Sequence, residues 1–315
     1  MGILGIWVLA FLFFFGCGGN EDSDSGNSNS FVEYKSCLDC GKLITDKSLG
    51  CQECPLETEE NISGRDDNAE KKELDKLYWQ FINDAHEKLG DQYVVPGIEL
   101  EMLWVHPGTF SAGSPKSEVG RLDREKLNEK KIHLGFYLGK YEVSQIQWEA
   151  VMGKNPSKFK GANRPVENIS WEEAIEFCEK LTQVELIESR LPNGLSFQLP
   201  SDSEWEYACR AGTSTAYFWG DSPVQENANY EFENSAGHTM DITSFLPNPW
   251  GFFNVHGNCW EFCSDIPGEN IVYRFARGGS WVDNSDFMRS AYRYEVQRDS
   301  KNHSLGLRIA LKVEK

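Results

Sequence analysis

Three places in the chain share one local pattern: a serine, a Glu or Gln three residues on, and a tryptophan beside them. They are Ser144 with Gln147 and Trp148, Ser170 with Glu173 and Trp171, and Ser201 with Glu204 and Trp205. In such a capping box the serine oxygen accepts from a free backbone N–H, and the Glu or Gln side chain reaches back to the serine N–H, so a helix starts there. Behind the second box Ala174, Ile175, Cys178 and Leu181 continue an apolar stripe. Brief apolar runs lie around the boxes: Leu103 to Val105, Phe136 to Leu138 and Leu307 to Leu311. Gly, Pro and Asn set them off, so they read as short strands. Short helices with fixed starts among short strands exclude a helical bundle. The expected class is α+β with much irregular structure, over residues 98–315. The 28 glycines and 10 tryptophans suit a domain of many turns packed by large rings.

The N-terminal third is different. Residues 1–17 are an apolar run ending in Gly16 and Cys17. It is shorter than the about 20 apolar residues a spanning helix needs and matches a signal-peptide core. The end of the run resembles a bacterial lipobox with Cys17 as the lipidated residue, although no Lys or Arg precedes it and Phe14 stands where Leu is usual. That resemblance implies a lipid-anchored protein of the cell envelope, at the outer membrane or cell surface. An uncleaved anchor and an ordinary signal peptide are the alternatives. Residues 18–34 are acidic and serine-rich, a solvated tether.

Residues 35–60 contain two Cys-x-x-Cys pairs, Cys37 with Cys40 and Cys51 with Cys54. Four thiolates at this spacing suit a zinc-ribbon-like knuckle. In an exported protein the same thiols equally suit two disulfides. Residues 66–90 read as one amphipathic helix docked on the neighbouring domain or in a short coiled coil. Leu74, Leu77, Tyr78, Phe81, Ile82, Ala85 and Leu89 form its apolar face, and Gly90 its stop. The formal net charge of −18 argues against a nucleic-acid partner, whose phosphates demand Lys and Arg, and against electrostatic adhesion to anionic lipid.

Six phrases then occur in order: GKYEVSQIQWEAVMG (139–153), NRPVENISWEEAIEFC (163–178), LPSDSEWEYACRAG (199–212), NPWGFFNVHGNCWEFCSD (248–265), RGGSW (277–281) and LGLRIA (305–310). Together they resemble the sulfatase-modifying-factor domain of the formylglycine-generating-enzyme family, over residues 98–313. The resemblance implies a modified C-type-lectin-like fold. It also implies calcium, held by the side chains of Asn254 and Glu261 and the carbonyls of Gly257 and Cys259. Hard oxygen donors of this kind are what calcium takes. The family's other calcium site would use Asn229 and the Tyr230 carbonyl, but its acidic ligand is not recognisable in this sequence. Cys178 and Cys209 match disulfide positions of secreted relatives, and their usual partners have become Ile309 and roughly Ser290.

Relatives that oxidise a sulfatase cysteine bind copper through two thiolates shortly after the RGGS phrase. In this chain the first position is Asp283 and the second falls between Ser285 and Met288, where no residue is Cys. Oxygen donors do not replace thiolates for Cu(I), so copper is not expected. The six histidines are scattered and make no ligand set. What the stretch retains is a surface for a ligand or protein: Trp260, Ser280, Trp281, Asp283, Tyr292 and Arg293. Arg277, Arg289 and Tyr294 add donors and a ring face. The competing reading is that RGGSW is a demanding turn, with Arg277 and Arg308 in buried ion pairs. Two functions remain: a recognition domain without redox chemistry, and a modifying oxidoreductase that uses other residues.

Overall fold

The computed structural model describes residues 35–36, 43–44, 67–231 and 236–314. The chain divides into two compact units, Met1–Asp66 and Asp67–Lys315. In the first, β1 (Lys35–Ser36) pairs antiparallel with β2 (Leu43–Ile44). Cys17, Cys37, Cys40, Cys51 and Cys54 lie outside the described residues, and so does the tether.

The second unit opens with α1 (Asp67–Leu89). Then come β3 (Gln92–Val95), β4 (Leu100–Val105), β5 (Gly108–Ala112), β6 (Asn128–Ile132) and β7 (Phe136–Gly139). The helices α2 (Gln145–Met152), α3 (Trp171–Ile187) and α4 (Asp202–Arg210) follow, with β8 (Leu195–Gln198) between the last two. The chain ends with β9 (Trp260–Phe262), β10 (Tyr273–Arg277), β11 (Tyr294–Gln297), β12 (Leu305–Gly306) and β13 (Ala310–Val313). A five-stranded sheet runs β3-β4-β7-β13-β8, a four-stranded sheet runs β11-β10-β9-β12, and β5 pairs with β6.

All three capping boxes form, with both reciprocal hydrogen bonds present at Ser144, Ser170 and Ser201. The tryptophans beside the first and third, Trp148 and Trp205, are buried, so each helix start is fixed by its cap and its ring together. Strand β7 is buried at every position rather than at alternate ones, because the five-stranded sheet is covered on both faces. Tyr137 joins the main core with Ile82 and Ala85 of α1 and Phe177 and Leu181 of α3. Phe136 and Leu138 join a second cluster with Trp205 and Tyr207 of α4.

Helix α1 ends where Gly90 takes a φ of 78° and its N–H reaches the His86 carbonyl. The docked face is Tyr78, Phe81, Ile82, Ala85 and Leu89. Leu77 departs from the expectation at 59% exposed, because it lies off the stripe that Ile82 and Ala85 bury. The run Leu307 to Leu311 also departs from it. It is not one strand: β12 pairs parallel to β9 in one sheet, β13 pairs with β7 and β8 in the other, and residues 307–309 cross between them. Arg308 sits in the crossing with its side chain fully buried.

Ion pairs tie α4 to the four-stranded sheet. Asp202 and Glu206, one turn apart on α4, accept from Arg277 at 2.6 Å each. Arg293 reaches the same two carboxylates at 2.8 and 3.1 Å, and Arg210 takes the other Glu206 oxygen. Burial alone would raise the Asp202 carboxyl, but Arg277 and Arg293 outweigh it and hold it below the usual range. Removing one partner of a buried pair leaves an uncompensated charge, so Arg277→Met is expected to cost about 3–5 kcal/mol. Ser201→Ala should cost only about 1 kcal/mol. Urea unfolding of both variants tests this, and equal losses would contradict it.

Candidate ligand groove and the buried carboxylate pocket

The turn after β10 needs glycine twice. Gly278 has φ 94° and Gly279 has φ 77°. A Cβ on Gly279 would lie 2.8 Å from Met288 Cα, so backbone would have to move. This tight turn places Ser280, Trp281 and Asp283 beside β9. The Asp283 carboxylate accepts from Trp260 Nε1 at 2.8 Å and from the Ser280 hydroxyl, both on Oδ2. Burial raises the Asp283 carboxyl above its ordinary range, and those hydrogen bonds restrain the rise. Trp260 and Ser280 are buried, while Asp283, Trp281 and Tyr292 are partly exposed.

Tyr292 and Tyr294 bring their rings to 5.9 and 5.0 Å from Trp260. The intervening Arg293 turns the other way, to Asp202 and Glu206. Successive residues of an extended chain face opposite sides, so the six groove residues expected from sequence divide at this point. Arg293 instead borders a separate cleft of about 480 Å3, with Arg124, Lys130, Phe275 and Glu295. The expected donors Arg277 and Arg289 are spent internally: Arg289 is buried against Glu118 and Glu125 at 2.6 and 2.8 Å. Arg277 and Arg308 are the buried, ion-paired residues that the structural reading of RGGSW requires.

Trp281 leads to residues that sequence reasoning missed. Its indole donates to the His303 carbonyl at 3.0 Å. Its ring lies 5.3 Å from Phe159 and 5.4 Å from His303, and Phe159 also meets His238 at 5.9 Å. The sequence scatters these four over 145 positions, and only the fold gathers them. His86, by contrast, is a packing residue, stacked on Trp104 at 4.1 Å.

Beneath the 254–261 turn lies a second site. Asn254 and Asn258 adopt φ of 52° and 62°, which asparagine tolerates. A Cβ on Gly257 would meet the Asn229 carbonyl at 2.3 Å. The Glu261 carboxylate is taken by Arg308 through Nη2 at 2.6 Å and Nε at 2.9 Å, and by Trp205 Nε1 at 2.6 Å. The Asn254 and Asn258 amides each donate to the buried Glu142 at 2.9 Å. The other Asn254 atom, Oδ1, is buried without a hydrogen-bond partner. Asn229 spends its amide on the His238 carbonyl and on Asn258, and residues 232–235 beyond Tyr230 lie outside the described residues. With both carboxylates ionised, a single guanidinium would leave this pocket one negative charge in excess. Burial, with Glu261 nearby, pushes the Glu142 carboxyl up to about 8.

The thiols stand apart from the groove chemistry. Cys178, Cys209, Cys259 and Cys263 are buried and unpaired. Cys209 Sγ lies 3.8 Å from Ser290 Oγ, so serine does stand where a disulfide partner would. Burial raises all four thiols, which keeps them protonated. No helix among the described residues is long and apolar enough to cross a membrane.

The model of the sulfatase-modifying factor enzyme 1-like domain matches residues 96–313. The chain belongs to that family. It is 28% identical to the chaperone protein LppX of Paenibacillus barcinonensis, over 60% of this chain and 85% of that one. It is 24% identical to the mouse formylglycine-generating enzyme, over 71% of this chain and 58% of the enzyme. Among solved structures it resembles Treponema denticola variable protein 1, with a TM-score of 0.60 and 25% identity, covering 70% of this chain and 98% of that one. It shares the fold of PvdO from Pseudomonas aeruginosa, with a TM-score of 0.63 and 20% identity, covering 71% of this chain and 98% of that one. The fold is therefore the formylglycine-generating-enzyme type, as the six phrases imply.

The buried Glu142 makes stability depend on pH in a defined sense. Its folded pKa lies above the ordinary 4.5, so the folded chain keeps a proton that the unfolded chain releases. Its contribution is complete at low pH and is lost as pH rises toward 8. The slope is at most about 1.4 kcal/mol per pH unit. In Glu142→Gln no carboxyl is left to ionise, so with chelator present the gap between wild type and variant should shift in the variant's favour from pH 5 to pH 8. Chemical denaturation across that range checks it; a constant gap would contradict a protonated Glu142.

Proposed function

We propose that the domain recognises a ligand or a protein and does not oxidise a cysteine. One observation carries this reading. Asp283, tied to Trp260 and Ser280, takes by the family resemblance the position of the first copper thiolate of oxidising relatives. A carboxylate is a hard donor and does not serve Cu(I). The relative named as a chaperone supports a protein partner, and it spans most of the matched length. On this reading Trp260 and Ser280 form the floor of the groove, and Trp281, Asp283 and Tyr292 contact the ligand. Lipidation of Cys17 would hold the domain at the cell envelope. The four cysteines Cys37, Cys40, Cys51 and Cys54 would staple its N-terminal knuckle through zinc or through two disulfides.

Calcium belongs to the same proposal. Asn254 Oδ1, Glu261 and the carbonyls of Gly257 and Cys259 would hold it, as in the family. The partnerless Asn254 Oδ1 and the excess negative charge both suit a cation there. Arg308 competes for Glu261, so Glu142 would supply the charge that Glu261 shares. The ion's role would be structural: it would neutralise the pocket and stiffen the turn that leads into β9.

Two measurements follow. Incubated with Cu(I), oxygen and a sulfatase-type cysteine peptide, the domain should yield no aldehyde above the protein-free control by mass spectrometry. Aldehyde formation would establish the oxidoreductase. Calcium should raise the thermal midpoint of the chelated protein by several degrees, as a ligand that binds only the folded state must. Asn254→Ala should remove most of that rise, and an unchanged rise would place the ion elsewhere.

A further inference from the structure

The rim beside Trp281 carries charge opposite to that of the protein. Residues 153–166 read GKNPSKFKGANRPV, with Lys154, Lys158, Lys160 and Arg164 and no Asp or Glu, in a chain of net charge −18. None of the four cations has a carboxylate partner among the described residues, whereas the arginines around α4 are all paired. The acid that follows, Glu167, does not neutralise the rim. It is fully buried and accepts from the Phe159 N–H at 2.8 Å, while its own N–H donates to Ser157 at 3.1 Å. Glu167 therefore pins the loop from inside, and Lys154, Lys158 and Lys160 stay exposed.

The same loop presents rings. Phe159 meets Trp281 edge-to-face at 88°, and His238 and His303 flank them. All four are partly exposed. Lys158 Nζ lies over the Phe159 ring at 5.1 Å, and Arg164 lies 3.1 Å from the His238 imidazole. We propose that this rim binds a short anionic saccharide of the uronic-acid class. The proposal rests on reading the adjoining groove as a recognition surface.

Three considerations select that ligand. The first is the ring platform: sugar C–H faces pack on aromatic faces, and ring carboxylates meet lysine and arginine. The second is that part of the loop's backbone is bonded inward. Gln145 N–H bonds the Arg164 carbonyl, Ile146 N–H the Ala162 carbonyl, and Gly161 N–H the Gln145 side chain. Residues 153–166 form no strand whose edge an acidic peptide could extend, so recognition falls to side chains. The third is the net charge of −18, which repels a long polyanion such as nucleic acid and favours a short one.

The test is calorimetric titration of the full chain with trigalacturonate at low and high salt, beside its neutral methyl ester and a pentaglutamate peptide. Trigalacturonate should bind, weaken with salt, and exceed both comparators. The exposed double substitution Lys158→Ser with Lys160→Ser should weaken it roughly tenfold without lowering the thermal midpoint. Absent binding, an equal affinity for the ester, tighter binding of pentaglutamate, or an unaffected double variant would each overturn the inference. Those outcomes leave the groove reading intact, which aldehyde formation from the cysteine peptide would overturn.

Discussion

Asp202 and Glu206, one turn apart on α4, hold this domain together. Each is an expensive group to bury, and arginines compensate both: Arg277 and Arg293 hold the Asp202 carboxyl below its usual range, and Glu206 pairs with the same two and with Arg210. Arg277 comes from the end of β10, Arg293 from just before β11, and Arg210 from α4 itself. Arg277 also donates to the carbonyls of Ser290 and Tyr292, so the same guanidinium fixes the path between the two strands. That path carries Ser280, Asp283 and Tyr292. The shape of the groove is thus set by ion pairs behind it, and the arginines nearest to it are committed to structure rather than to ligand.

Much of this was legible in the sequence, for local reasons. A capping box contains both halves of its hydrogen-bond exchange within four residues, so Ser144, Ser170 and Ser201 announce their helices without help from the rest of the chain. Gly278 and Gly279 likewise announce a turn with left-handed backbone. What was hidden depends on partners far away. Leu307 to Leu311 is uniformly apolar whether it forms one strand or crosses between two sheets, and the buried pairing of Arg308 with Glu261 marks the crossing. The adjacent residues Tyr292 and Arg293 look equally suited to a ligand, and only their opposite facing separates them. Phe159 and His303 read as isolated residues until the fold stacks them around Trp281.

The pocket beneath the 254–261 turn follows the same logic with a different resolution. Glu261 is neutralised by Arg308, but Glu142 has amide donors and no cation of its own. Such a carboxylate takes up a proton or a metal ion. The partnerless Asn254 oxygen suits the second outcome, since it can ligate that ion while the Asn254 amide N–H donates to Glu142. A turn leading directly to Trp260 is therefore sensitive to what fills the pocket, although the groove chemistry lies on the far side of β9.

On the proposed reading, donor softness at one position separates recognition from oxidation within the family scaffold. Asp283 gives the groove a carboxylate held by an indole and a hydroxyl, and the four described thiols are protonated and buried elsewhere. Anaerobic titration of Cu(I) into the domain, against a chromogenic Cu(I) chelator, measures this most directly. No copper should transfer to the protein at chelator concentrations where a dithiolate site would compete. Stoichiometric transfer that disappears in Asp283→Ala would contradict the account.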